Sequence, residues 1–574
     1  MHRLFPFLRW LPEVRQPGVL RRDLIAGITV AAVVIPQALA YARLAGLPAV
    51  YGLYAALIPP VVAALWGSCR QLVTGPMATA SLISAATVAA LAPPETEAFI
   101  SFSILLGLLV GVLRVSVGLL RLGVLVNLLS APVVTGFANA AALIIASSQL
   151  QDVLGVRGTQ HDFYLQTVWS TLRQLPAADL PTVGVGLLTA AVLVVLRRHT
   201  GKILIAVVIS TVVAWASGFH GAVVGTIAPG LPSFQLPHID WQALPALFIG
   251  AVVLTVIGFT ETMSIAKVIA TRTRQSVDPN QELIGQGLAN IVGSFFQSFS
   301  VSGSFARSAV NLQSGAATGL SMLVTSLVIL ATLLLFTPLF HYLPQATLAT
   351  IIIISVLGLF RLEPIRQAWQ VSQSDGAIGL VTFAVTLALA PQLQWGIAVG
   401  VGLSVAQYLR HTMRPHVAYL ARHPDGALVD AEAHGLALDT RIALIRFDGR
   451  LYFGAASFFE DKVLEALARM PDLRHVVLDA GGINEIDATG VQTLRRVVQD
   501  LQGIGVDVHV TRVKDRVYQL LETTGLASLI GEDHFHDWNQ HALDALWEKM
   551  EPVYRAHSPL NVATSAATSG VWSI

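Results

Sequence analysis

The feature that most limits what this chain can become is a series of apolar segments filling residues 24–411, nearly free of charge. A hydrocarbon layer about 30 Å thick takes about 20 apolar residues per helix. Within it every backbone polar group must be satisfied internally, so such segments become helices. Short polar or Pro/Gly breaks divide the region into fourteen: 24–42, 50–67, 76–91, 98–116, 124–148, 182–196, 203–218, 244–265, 283–297, 304–314, 318–338, 345–360, 376–390 and 394–411. The third and tenth are short and are opened by glycine. Composition agrees: 12% of the 574 residues are charged, against about a quarter in soluble proteins. A soluble enzyme, a secreted disulfide scaffold and a disordered hub are excluded. The single cysteine, Cys69, leaves no intramolecular disulfide to form.

A net charge of +1 conceals an asymmetry, since residues 1–412 carry +8 and residues 413–574 carry −7. Positive charge marks the cytoplasmic ends of spans. Arg3, Arg9, Arg15, Arg21 and Arg22 precede the first segment, and Arg70, Arg121, Arg197, Arg198, Lys202, Lys267, Arg272, Arg274, Arg361 and Arg366 follow even-numbered ones. The odd-numbered loops carry Glu95, Glu97, Asp152, Asp162, Asp179 and Asp240, with Arg43, Arg157 and Arg173 as exceptions. Both termini are therefore expected in the cytoplasm, at a plasma (bacterial inner) membrane. The first segment is too long for a signal peptide, contains Pro36, and is read as retained.

Beyond residue 440 the pattern changes to alternating strands and helices. Strands are expected at 441–449, 451–453, 475–481 and 506–510, and helices at 456–470, 489–501 and 514–521. This spacing reads as a small α/β domain. The expected divisions are an N-terminal segment 1–20, a membrane body 21–412, a linker 413–439, an α/β domain 440–555 and a disordered tail 556–574.

Residues 74–81 (TGPMATAS) and 302–309 (SGSFARSA) resemble each other, each a hydroxyl residue, Gly, Pro or Ser, a bulky apolar residue and Ala. They occupy the third position in each set of seven segments, the mark of an inverted-repeat transporter. A helix that starts inside the membrane presents unpaired N–H groups and a partial positive charge, which attract an anion. Pro76 suits the first turn of such a helix. The expected site lies between Gly75, Pro76, Met77, Ala78 and Thr79 on one side and Ser304, Phe305, Ala306, Arg307 and Ser308 on the other. Arg307 is the only charged residue between Glu282 and Arg361, and Glu261 the only one between Asp240 and Lys267. A charge within a span costs at least about 2.5–3.5 kcal/mol, which makes its default reading functional. Snorkelling is the alternative for Arg307, and a structural helix-end cap for Glu261. Gln37 and Tyr41 share one helix face after Pro36, either lining a cavity or bonding a neighbouring helix. The run His534, His536, Asp537 and His541 lacks metal-ligand spacing. No phosphate-binding loop, nucleophile elbow or zinc-protease motif occurs, so no enzyme, metal, cofactor or nucleic-acid partner is expected.

Several stretches together resemble the sulfate permease (SulP) family: residues 23–60, VTGPMATAS at 73–81, DPNQELIGQGLANIVGSFFQSFSVSGSFARSAVN at 278–311, and YLPQATLATIII at 342–353. The resemblance implies an α-helical membrane protein of 7+7 inverted repeats with the uracil-permease-like core and gate domains. It also implies a cytoplasmic STAS domain, a possible partner for that domain, and a homodimer. By the same resemblance Gln37 and Tyr41 line the cavity, Met77 and Arg307 belong to the anion site, and Glu261 matches the acid assigned to proton coupling in bacterial members. Ala306 stands where many relatives have serine. In LDAGGINEIDATGVQTL (478–494), Ala488 replaces the serine phosphorylated in anti-sigma-factor antagonists, leaving Asp487 and Thr489 as the regulatory candidates. The expected function is secondary active transport of a small inorganic or carboxylate anion, sulfate first, by proton symport or exchange. Transport of bicarbonate, chloride or a dicarboxylate, an anion channel, and a membrane-tethered STAS interaction module are the alternatives.

Overall fold

Each apolar segment becomes a helix. In the first set of seven these are α1 (Val19–Leu44), α2 (Val50–Trp66), α3 (Ala78–Ala89), α4 (Glu97–Leu119) and α5 (Ala131–Ser148). After the short α6 (Leu150–Leu154) and α7 (Tyr164–Arg173) come α8 (Leu180–Val195) and α9 (Lys202–Ala216). The second set is α10 (Leu244–Thr273), α11 (Pro279–Phe295), α12 (Phe305–Gln313), α13 (Leu320–Ala331) and α14 (Gln345–Leu357). It continues through α15 (Glu363–Val371) to α16 (Gln373–Ala388) and α17 (Leu393–Met413). The computed structural model describes residues 5–123, 130–156, 164–197, 199, 201–226, 230–358, 360–390 and 392–561. The start of the fifth expected segment, 124–129, falls outside them. The helices α6, α7 and α15 had no counterpart in the sequence reading, because they are too short or too polar to register as spans.

The chain forms two compact units, residues 1–404 and 405–574. In the first, α1–α4 pack with α10–α13, most extensively α4 and α2 on α11, then α1 on α13. Small residues make the α4–α11 approach possible. A Cβ at Gly111 would lie 2.8 Å from the Gly287 carbonyl oxygen, and one at Gly287 equally close to that of Gly111. A second group joins α5 to α14 and α16, and α8 to α9 and α14. Helix α1 touches this group at α9 and α14, and α3 touches it at α5.

The second unit is a six-stranded sheet in the order β4-β3-β5-β6-β7-β8. Its strands are β3 (His416–Arg422), β4 (Leu428–Asp430), β5 (Ile442–Asp448), β6 (His475–Asp479), β7 (Asp507–Thr511) and β8 (Phe535–His536). β3 runs antiparallel to β4 and β5, and β5 through β8 run parallel. After α18 (Ala431–His434), helices α19 (Phe453–Arg469), α20 (Ala488–Gly503), α21 (Asp515–Thr523) and α22 (Leu526–Ile530) contribute to one core, and α23 (Asn539–Lys549) to another.

Three tail expectations change. The stretch 413–439 is not a bare linker but supplies β3, whose Ala418, Tyr419, Leu420 and Ala421 are buried, and the half-buried β4. Residues 451–453 are not a strand: Leu451 makes one isolated bridge to Ile486, and the Asp487 carboxylate accepts the Phe453 N–H where α19 begins. The tail from 556 starts as structure, with His557 ending α24 (Pro552–His557), Ser558 and Leu560 buried, and Arg422 Nε donating to the Leu560 carbonyl (2.8 Å). Residues 562–574 lie outside the described residues.

Candidate anion site

The two glycine-opened stretches meet. Ahead of α3 and α12 the chain straightens and pairs antiparallel as β1 (Thr74–Gly75) and β2 (Ser302–Gly303), with Thr74 opposite Gly303 and Gly75 opposite Ser302. Helix α12 has 9 residues, a length of about 14 Å and roughly half a hydrocarbon layer. Helix α3 has 12 residues. Neither Met77 nor Ser304, the residues before these helices, caps its helix through the side chain. The first-turn amides therefore lack an acceptor within their helices, and both positive dipole ends lie at the ladder. Pro76 stands ahead of α3 rather than in its first turn.

Arg307, in the first turn of α12, is completely buried, and Nε, Nη1 and Nη2 all lack a protein acceptor. Its guanidinium reaches across to the other stretch: a Cβ on Gly75 would come within 3.2 Å of Nη1. Gly75 has φ 157°, which L side chains rarely adopt, so glycine serves both the backbone turn and the close approach. Gln37 and Tyr41 are buried on α1, which packs against α3 and α12. Met77 is half-buried, Ala78 and Thr79 are buried, and Phe305 and Ala306 are exposed. The Ser308 hydroxyl accepts the Val73 N–H (2.8 Å), and the Ser304 N–H donates to the Val73 carbonyl (2.9 Å). Ser308 thus binds the α12 entry to β1.

Glu261 does not end a helix, since α10 continues to Thr273. Its carboxylate accepts the Thr79 hydroxyl (3.1 Å), joining α10 to the first turn of α3. The next residue, Thr262, bonds the Ser302 hydroxyl (3.1 Å) and accepts the Gly303 N–H (3.2 Å). Adjacent residues of α10 thus hold both half-helix entries.

Sequence reasoning missed a polar frame behind the ladder. From α11, Gln286 Nε2 donates to the Thr74 hydroxyl (2.7 Å), and Asn290 exchanges two bonds with Val301 (2.9 and 3.0 Å). Glu282 accepts the Ser68 and Cys69 N–H groups (2.8 and 3.0 Å). The i, i+4, i+8 spacing of Glu282, Gln286 and Asn290 on an apolar span was the available signal. Arg114 was missed too, although it is the only charge between Glu97 and Arg121. It is fully buried and donates to the carbonyls of Val301 (3.0 Å) and Leu254 (3.1 Å).

In the second unit, Asp487 accepts the Gly490 N–H (2.7 Å) and caps α20, with Thr489 exposed in the first turn. A carboxylate capping that turn is a structural contact in itself.

Residues 20–382 match the sulfate permease family and residues 436–540 the STAS domain. Sulfate transporter 4.1, chloroplastic, from Arabidopsis thaliana is 33% identical over 93% of this chain and 81% of its own. Probable sulfate transporter MT1781 of Mycobacterium tuberculosis is 32% identical over 92% and 96%. Among solved structures, murine Solute Carrier 26 family member A9 aligns at a TM-score of 0.86 and 23% identity, over 95% of this chain and 94% of that one. The transmembrane domain of a cyanobacterium bicarbonate transporter, BicA, aligns at 0.59 and 26%, over 68% and 98%.

Proposed function

The chain belongs to the sulfate permease family, as a multi-pass membrane anion transporter with a C-terminal STAS domain, and from that premise we propose that it carries sulfate by secondary active transport. The anion sits between the entries of α3 and α12, held by first-turn amides and the Arg307 guanidinium. The observation that carries this reading is a fully buried arginine with three nitrogens and no protein acceptor, placed against Gly75 of the opposite stretch. A buried charge in low dielectric is costly unless a counter-charge joins it, and a dianionic tetrahedral oxyanion supplies charge and several acceptors at once. Gln37 and Tyr41 line the approach from α1. Movement of the group α1–α4 with α10–α13 past the group around α5, α14 and α16 exposes the site to either side in turn.

Glu261 is the proton carrier of this reading, since it bonds Thr79 in the first turn of the same half-helix. Protonation there changes the field at the anion site. Uptake into proteoliposomes tests both parts. Labelled sulfate should accumulate under an inward proton gradient, and Glu261→Gln should abolish accumulation while leaving sulfate–sulfate exchange. Purely passive sulfate flux would make the protein a channel. Uptake of bicarbonate, chloride or a dicarboxylate in place of sulfate would reassign the cargo. Undiminished accumulation in Glu261→Gln would remove that residue from the coupling.

A further inference from the structure

At the end of the first unit that carries the N-terminus, a cavity of about 500 Å³ opens between the N-terminal turns, the α2–β1 connection and the α10–α11 connection. Each of the three segments contributes an arginine to its wall: Arg9, Arg70 and Arg274. Their charges are not equally balanced. Arg70 is paired with Glu13 (2.6 Å). Arg9 and Arg274 are exposed and have neither an ion pair nor a side-chain hydrogen bond among the described residues. Asp278, the one acid in the wall, already spends a carboxylate oxygen on the Asn280 and Gln281 N–H groups at the start of α11.

The wall is built rather than incidental. Arg274 occupies a left-handed turn (φ 54°) that ends α10 and turns the chain toward α11. Gln281 Nε2 donates to the Trp66 carbonyl (2.7 Å), and the Trp10 side chain is buried beside it. Guanidinium groups from separate segments around one space, with less acid than base, create a field that attracts anions. The volume suits a group far larger than a bare oxyanion. Exposed Phe5 and Leu11 flank the wall residues Pro6 and Trp10 in the chain, and Phe5 packs on Trp66 beside Gly67, adding an apolar border. Arginines beside exposed apolar side chains are the combination that an anionic headgroup and its acyl chains together satisfy.

We propose that this cavity binds a phosphate ester, the headgroup of an anionic phospholipid or a soluble compound of the same chemistry, through Arg9 and Arg274. Arg70 lies four residues before Thr74, so the ligand is bound on the connection that leads into β1.

The test uses the purified full-length chain in detergent, titrated with dioctanoyl phosphatidylglycerol, dioctanoyl phosphatidylcholine and glycerol 1-phosphate and followed by native mass spectrometry. Saturable binding of phosphatidylglycerol is expected, weakened at least tenfold when Arg9→Gln and Arg274→Gln are combined. Arg15→Gln, an exposed arginine outside the wall, should change nothing. Binding of glycerol 1-phosphate as tightly as the lipid would support the chemistry and assign a soluble source, whereas binding of phosphatidylglycerol alone would assign the bilayer. Should the double variant also lose thermal stability, Arg9→Lys with Arg274→Lys decides: retained binding supports the site, and lost binding overturns it. Equal binding of phosphatidylcholine, an equal loss in Arg15→Gln, indifference to the double substitution, or no saturable binding of either phosphate compound would each overturn the proposal.

Discussion

Arg114 and Arg307 are both arginines in apolar segments and both completely buried. Arg114 donates to two backbone carbonyls, Val301 and Leu254, and makes a longer contact (3.5 Å) with the Ser302 hydroxyl. Arg307 donates to nothing in the protein. One guanidinium is bonded to the chain around β2; the other keeps all three nitrogens unpartnered. Burial of a charge alone therefore does not distinguish the two; Arg114 leaves only Nε without a partner, whereas Arg307 leaves all three nitrogens.

The largest effect expected from this contrast is on stability. Arg114→Met keeps the bulk and removes the two hydrogen bonds that tie α4 to Val301 and to Leu254. A hydrogen bond to a charged group contributes about 1.5–3 kcal/mol, so a loss of a few kcal/mol is expected. Thermal unfolding in detergent should show it as a large fall in melting temperature. Arg307→Ala should reverse the pattern, with little stability lost and anion affinity weakened severalfold to a hundredfold, about 1–3 kcal/mol. Isothermal titration with sulfate would measure it. If Arg114→Met folded normally, or Arg307→Ala bound sulfate as the wild type does, the distinction between brace and ligand would fail.

The STAS domain solves the same problem a third way, by keeping a buried group uncharged. His509 on β7 is buried among His475, His534 and His536, with Lys549 nearby. Burial first, then the neighbouring histidines, push its imidazole down to about 3. Burial likewise lowers His475 and His536. Because the folded value lies below the unfolded one of about 6.5, the unfolded state binds more protons in between. Stability is then full above about pH 6.5 and declines as the pH falls toward 3. The smallest of the three effects is therefore expected here: amide-exchange protection of β7, corrected for intrinsic rates, should fall between pH 7 and 5. His509→Gln should flatten that slope. A slope unchanged by the substitution would move the effect to other groups.

The positions of the helices were legible from the chain because the preference of a segment for hydrocarbon is a sum over its own residues. Each of the fourteen apolar segments visible in the order of side chains carries a helix, and the two short ones open with the paired motifs at 74–81 and 302–309. The rare charges were visible for the same reason, although Arg114 needed the scrutiny that Arg307 and Glu261 received. The tail was legible only where strand and helix alternate at short range. β3 escaped because its strand status rests on pairing with β5, across the 430s, and on burial that local composition does not encode.

What a buried group does was settled by partners distant in the chain. The carbonyls that occupy Arg114 lie 140 and 187 residues away. The Thr79 hydroxyl that meets Glu261 is 182 residues away, and the Val73 amide that engages Ser308 is 235 away. Hydrogen bonds act over about 3 Å and depend on direction, so residue type and local spacing cannot say which donors are used and which stay free. The sequence by itself determined where apolar helices begin and which of them carry a charge. Only the tertiary structure, by bringing those distant acceptors within reach of Arg114 and leaving Arg307 without any, decided which arginine is bonded into the fold and which keeps its donors unused.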